Sequence, residues 1–203
     1  MLVVAVAVLV LAAGAADAGG DPRWRFYTRD EARYASPWFG GAHRVMVPFG
    51  CTSAPYYVPD PRCADDHGFH HGIDIAMRCG TRLYAARRVW VVSNDSLGPA
   101  YGTNPLLLRN RRLGFDLVIG HTRRVYVHEG DRVQAGTLIA RASDNGAPDG
   151  CHLHFERRAV GGGLGTAHRP RGQLALTRTP SPGAAACGPE LGCPSWMRVI
   201  TGC

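Results

Sequence analysis

The chain reads as a mainly β protein, and three features of the sequence predict it. From Arg44 onward short apolar runs alternate with Gly, Pro, Asn and Asp punctuation, the pattern of strands joined by turns. No long apolar repeat of helical period separates those runs. The two strings richest in polar chemistry, Phe69-His70-His71-Gly72-Ile73-Asp74 and Cys151-His152-Leu153-His154-Phe155-Glu156, alternate polar with apolar residues as strands between a core and an open face do.

Taken in order, Leu2 to Ala16 is almost wholly apolar and Ala16-Asp17-Ala18 supplies small residues where a signal peptidase reads. Residues 1–18 therefore read as a secretory signal; the run is shorter than the roughly 20 residues a bilayer-spanning helix needs, and only if retained would it tether the chain to a membrane. Residues 19–44 form an N-terminal extension carrying Trp24, Phe26, Tyr27, Tyr34, Trp38 and Phe39, aromatics expected to pack against the domain. The domain proper spans 45–158. Strands are expected near Val45–Val47, Gly72–Ala76, Leu83–Ala85, Val89–Val92, Leu106–Leu108, Phe115–His121, Val125–Val127, Leu138–Ala142 and His152–Glu156. Ser143–Gly150, with Asn145-Gly146 and Pro148, reads as a loop delivering the chain into the last strand. Beyond it, 159–203 is a Gly/Pro-rich tail, expected to be loosely ordered.

On an extended strand His70 and Asp74 point the same way, as do His152 and His154, while Ile73, Leu153 and Phe155 face a core. One open face thus collects imidazoles and a carboxylate, both good Zn²⁺ ligands. A catalytic zinc typically takes three protein ligands and keeps a fourth position for water. Gly72 leaves room above such a site. His43, His67, His128 and His168 read as ordinary histidines. Glu156 follows His154 on the same strand face, where it suits either a base or a partner that orients an imidazole.

These strings, in this order and spacing, resemble the M23 family of zinc metallopeptidases, the lysostaphin and LytM type of peptidoglycan endopeptidase. The resemblance rests on His70-x-Gly72-x-Asp74, Gly80-Thr81, Tyr84-Ala85-Ala86, Glu129-Gly130-Asp131-Arg132-Val133 with Gly136 and Ile139, and His152-Leu153-His154-Phe155-Glu156. It implies antiparallel sheets forming a LytM-like metallopeptidase domain with an open groove, flanked by irregular N- and C-terminal extensions. It also implies one Zn²⁺ ion held by His70, Asp74 and His154, with His152 and His121 as catalytic histidines. Val118-Ile119-Gly120-His121-Thr122 replaces the family's more usual aromatic-x-His-Leu, and Arg109-Asn110-Arg111-Arg112 stands where many relatives carry a Gly-rich turn. The implied activity is zinc-dependent hydrolysis of peptide bonds in bacterial cell-wall peptidoglycan, by a secreted or envelope protein. The alternative is a non-catalytic wall-binding or hydrolase-activating module.

Composition excludes other chemistries. All 23 basic residues are arginine, so no Schiff base, Walker-type lysine or lysine-borne biotinyl or lipoyl group is possible, although Glu129 to Ala140 resembles the strings of such carriers. The net charge of +7 comes with no aromatic-interleaved basic strip, which points away from nucleic acid and toward anionic envelope polymers as partners. Seven cysteines in an exported chain suggest disulfides, Cys51 with Cys63 and Cys79 with Cys151 being possible pairs. A thiol nucleophile at Cys151 is the weaker reading, since the residues around it read as a loop entering a strand.

Overall fold

The computed structural model describes residues 20–180; the segment read as a signal, together with Cys187, Cys193, Trp196 and Cys203, lies outside them. Fourteen strands follow in chain order: β1 Arg33–Ser36, β2 Phe39–Val47, β3 Gly50–Thr52, β4 Gly68–His70, β5 Gly72–Ala76, β6 Arg82–Tyr84 and β7 Val89–Val92, then β8 Leu106–Asn110, β9 Phe115–Gly120, β10 Thr122–Arg123, β11 Arg132–Val133, β12 Leu138–Ala142, β13 His152–Ala159 and β14 Thr177–Arg178. One four-residue helix, α1 (Arg171–Leu174), and two 3-10 turns complete the described residues.

Twelve strands form a single antiparallel sheet in the order β10-β12-β6-β2-β5-β13-β9-β8-β7-β11, with β1 and β14 attached beside β2, while β3 and β4 pair separately. The fold is the mainly antiparallel one expected. Its two central strands, β5 and β13, are the two that carry the histidine strings, paired so that His154 lies opposite Asp74 and Phe155 opposite Ile73. Alternation then divides the chemistry: Ile73, Ile75, Leu153 and Phe155 enter the main core with Leu83, Leu108, Leu117 and Ile119, and the imidazoles take the other face.

Four expectations need correction. Val125–Val127 is not a strand: Arg124 adopts a left-handed backbone (φ 48°), which turns the chain out of β10, and Tyr126 is left exposed. The strand expected to reach His121 stops at Gly120 for the same reason, His121 itself having φ 53°. His70 and Asp74 do not share one strand; the chain bends at His71, so His70 belongs to β4 and Asp74 to β5. Finally, residues 160–180, expected to be loose, help close the core. Leu174 on α1 is fully buried, the Trp38 indole N–H donates to the Gln173 carbonyl at 2.8 Å, and β14 pairs with β1. Glycine and proline content signals irregular backbone, but one well-placed leucine suffices to dock it.

The N-terminal aromatics pack on the domain as expected. Tyr34, Trp38 and Phe39 join the main core, with Trp38 edge-on to Phe155 at 5.0 Å between centroids, while Trp24, Phe26 and Tyr27 cover Met46, Val47 and Ala76 on the opposite face. Cys51–Cys63 and Cys79–Cys151 are disulfides. The second bridge leaves no free thiol beside His152, so a cysteine nucleophile there is ruled out.

Candidate metal centre

Register on β5 and β13, and the bend that ends β4, bring three ligand atoms together. His70 Nε2 lies 3.2 Å from His154 Nδ1 and 3.3 Å from Asp74 Oδ1, and His154 Nδ1 lies 2.9 Å from the same oxygen. Two ligands about 2.0–2.1 Å from an ion and at the tetrahedral angle sit roughly 3.3 Å apart. The three spacings therefore suit three residues that would hold one zinc ion. All three residues are buried.

Each imidazole is held through its other nitrogen, which fixes the tautomer that leaves the ligand atom free. His70 Nδ1–H donates to the Pro48 carbonyl at 3.0 Å, and His154 Nε2–H faces Glu156 Oε2 at 3.3 Å. Glu156 is fully buried and is gripped in turn by Arg158, at 2.6 Å from Nε to Oε1, and by the Tyr101 hydroxyl at 2.9 Å. Gly72, opposite Glu156, is needed for this: a Cβ there would lie 2.6 Å from His154 Cε1.

Electrostatics follow from burial and these contacts. Burial pushes the Asp74 carboxyl up, but His70, His152 and His154 together hold it well below the carboxylate range. Burial opposes charge on His154 too, yet its bonds to Asp74 and Glu156 raise it to about 9. Burial would raise Glu156, but His154 and Arg158 lower it to about 2. Burial, reinforced by His152 and His154, drives His121 down to about 3, leaving it neutral.

The two remaining sequence-predicted histidines flank the ligand set. His152 Nε2 is 3.7 Å from Asp74 Oδ1, its Nδ1–H donates to the Gly150 carbonyl at 2.9 Å, and its ring centroid lies 4.4 Å from that of His121. His121 Nδ1–H donates to the Asn145 carbonyl at 2.8 Å. Its left-handed backbone is fixed on both sides, the N–H donating to Tyr101 O at 2.9 Å and the carbonyl accepting from Ser143 N at 2.8 Å. All five predicted residues thus converge.

Sequence reasoning missed Tyr57, Tyr101, Asp149 and Arg158. Arg158 was within reach of it, being two residues past Glu156 and so on the same strand face. Tyr57 and Tyr101 come from loops distant in sequence and leave no local signal. They wall a cavity of about 410 Å³ that opens beside His70, His121 and His154, rimmed by the exposed Tyr56, Val58 and Leu164. Asp149 lies buried with its Oδ1 3.6 Å from His152 Nδ1.

The chain also resembles known proteins. It is 35% identical over 100 residues to the lipoprotein NlpD/LppB homolog of Pseudomonas aeruginosa, an overlap of 49% of this chain and 33% of that protein, so the match spans about a third of the relative's length. The catalytic domain of the antimicrobial peptidase lysostaphin from Staphylococcus simulans superposes with a TM-score of 0.52 and 25% identity, over 66% of this chain and 92% of that one. LytU superposes with a TM-score of 0.51 and 28% identity, over 64% and 83%. Residues 68–166, which include His70, Asp74, His121, His152 and His154, match peptidase family M23.

Proposed function

We propose that the chain is a zinc-dependent endopeptidase of bacterial cell-wall peptidoglycan. The observation that carries this is the trio of ligand atoms at tetrahedral spacing, with each of the two imidazoles backed by its own hydrogen-bond partner. His70, Asp74 and His154 hold one Zn²⁺. The bound ion supplies a Lewis acid and lowers the pKa of water from 15.7 to about 7. A purely structural zinc usually closes its fourth corner with another protein ligand, often cysteine, and here both nearby cysteines are spent in a disulfide.

The protein's own part is positioning and proton handling. His121 and His152 each donate from Nδ1–H to a backbone carbonyl, so each keeps an unprotonated Nε2 as an acceptor. One accepts the proton of the attacking water; the other, once protonated, donates to the developing oxyanion of the scissile amide. Asp149 and the Gly150 carbonyl keep the His152 ring aligned. The aromatic-walled cavity beside them suits an extended peptide. The working unit extends past the expected 45–158, because Tyr34, Trp38, Phe39 and Leu174 complete its core; 1–18 serves as a cleaved signal, and the protein acts in the envelope or outside the cell.

The test is to purify the mature chain, measure bound zinc, and incubate it with peptidoglycan of defined cross-link, following fragments by mass spectrometry. Chelator-sensitive cleavage that disappears in His70→Ala and His152→Ala supports the proposal. Zinc binding with no peptide bond cut in any wall preparation would favour the wall-binding or hydrolase-activating alternative.

A further inference from the structure

Away from the cleft, one cavity gathers positive charge without counter-charge. It has a volume of about 440 Å³ and lies where β7, β11 and the β8–β9 turn meet, lined by Arg87, Arg88, Trp90 and Arg112 with Asn110, Leu113, Gln134 and Ala135. Two further guanidiniums lie over its Trp90 wall, Arg111 at 4.9 Å and Arg132 at 5.3 Å from the ring centre. No acidic residue lines it. Arg88, Arg111, Arg112 and Arg132 make no ion pair among the described residues, and Asp131, next to Arg132 in sequence, is occupied with the His128 backbone at 2.8 Å. Arg87 Nη2 donates to the Gln173 carbonyl at 3.3 Å, while its buried Nε has no hydrogen-bond partner.

Register ties this cavity to the metal-binding face. Arg158, Asp116, Arg109, Trp90 and Arg132 are successive cross-strand partners from β13 to β11. Cross-strand partners share a face, and Arg158 is an even number of residues from His154. The basic cavity and the metal ligands therefore look the same way, about 20 Å apart by strand spacing and rise.

We propose that this cavity binds a phosphodiester-bearing glycan of the envelope while the cleft engages peptide. Several guanidiniums converging on one pocket suit a phosphate, whose oxygens point in several directions, better than a flat carboxylate, which one arginine fork satisfies. Gln134, whose Oε1 accepts from Arg88 Nε at 3.1 Å, keeps its amide NH₂ for a saccharide hydroxyl. Two guanidiniums occupy the Trp90 ring, so it is not a free platform for stacking nucleobases, which argues against single-stranded nucleic acid. The placement at the wall rests on the peptidase reading; the chemistry of the pocket does not.

The test is binding by the full chain, cleared of metal with chelator, to a phosphodiester-linked oligomannoside. The same oligosaccharide without phosphate and an oligo-dT of equal charge serve as comparisons. The phosphorylated glycan binds, weakens as salt rises, and loses about tenfold or more in affinity in Arg111→Gln/Arg132→Gln. Reloaded with zinc, that variant cuts a soluble peptide at the wild-type rate. If it does not fold, Arg112→Gln, exposed in the turn, gives the same reading. Unchanged binding in the folded variant, equal binding of the phosphate-free sugar, or tighter binding of oligo-dT would overturn the proposal. Because binding is read without metal, loss of peptide cleavage alone would refute only the peptidase reading.

Discussion

Glu156→Gln tests whether the buried carboxylate sets the ligand tautomer of His154. The side chain keeps its shape and loses its charge. An amide has a single acceptor oxygen, for which Arg158 Nε, now at 2.6 Å, and His154 Nε2–H, at 3.3 Å, must compete. If Arg158 takes it, the amide NH₂ faces His154 and demands a lone pair at Nε2. The imidazole proton then moves to Nδ1, the atom 2.9 Å from Asp74 that has to coordinate. Loss of such an outer partner typically weakens metal binding by about 10- to 100-fold, or roughly 1.4–2.7 kcal/mol. Zinc affinity is read by competition with a chromophoric chelator, with folding checked by near-UV circular dichroism. A folded variant with zinc affinity within about threefold of wild type would refute the tautomer argument.

Gly72→Ala should displace the His154 ring, since its Cβ would meet Cε1 at 2.6 Å; a variant retaining full zinc occupancy would contradict that packing. Zinc uptake at pH 7 should release about one proton from His154, whose pKa is raised to about 9, and the release should fade as pH rises through that value; calorimetry in buffers of differing ionisation enthalpy measures it. The same raised value means that His154 stabilises the metal-free fold fully below its ordinary 6.5, and that this contribution fades as pH climbs toward 9, which urea titrations of chelated protein will show. Replacing both Cys79 and Cys151 by serine opens a loop of 72 residues and should cost up to about 4 kcal/mol in urea unfolding. Arg158→Met strands a buried carboxylate and should cost about 3–5 kcal/mol by the same measurement, with a small effect refuting the buried-pair reading.

Much of the centre could be read from the sequence because its residues sit on strands, where period two converts spacing directly into facing. His152, His154 and Glu156 needed only that rule, and Ile73 and Phe155 marked the opposite face. The rule gave the right grouping for His70 and Asp74 by a route the fold does not take, since a bend at His71 separates their strands. His121 depended on family resemblance, because its place in the cleft comes from a left-handed backbone that no alternation announces. Tyr101 and Tyr57 were invisible for a related reason: loops have no period, and their ends are set by tertiary contacts. The tail misled because Gly161-Gly162-Gly163 and Pro170 describe the backbone, while Leu174, a single side chain, decides whether that backbone docks.

β13 carries His152, His154 and the carboxylate–arginine pair Glu156 and Arg158 on one side, and Leu153 and Phe155, which fill the core, on the other. Sliding this strand by one position would send Phe155 into the cleft and His154 into the oil. A misthreaded molecule therefore loses its core and its ligand cluster together. Accurate threading and assembly of the His70, Asp74 and His154 cluster are a single inherited trait in this chain.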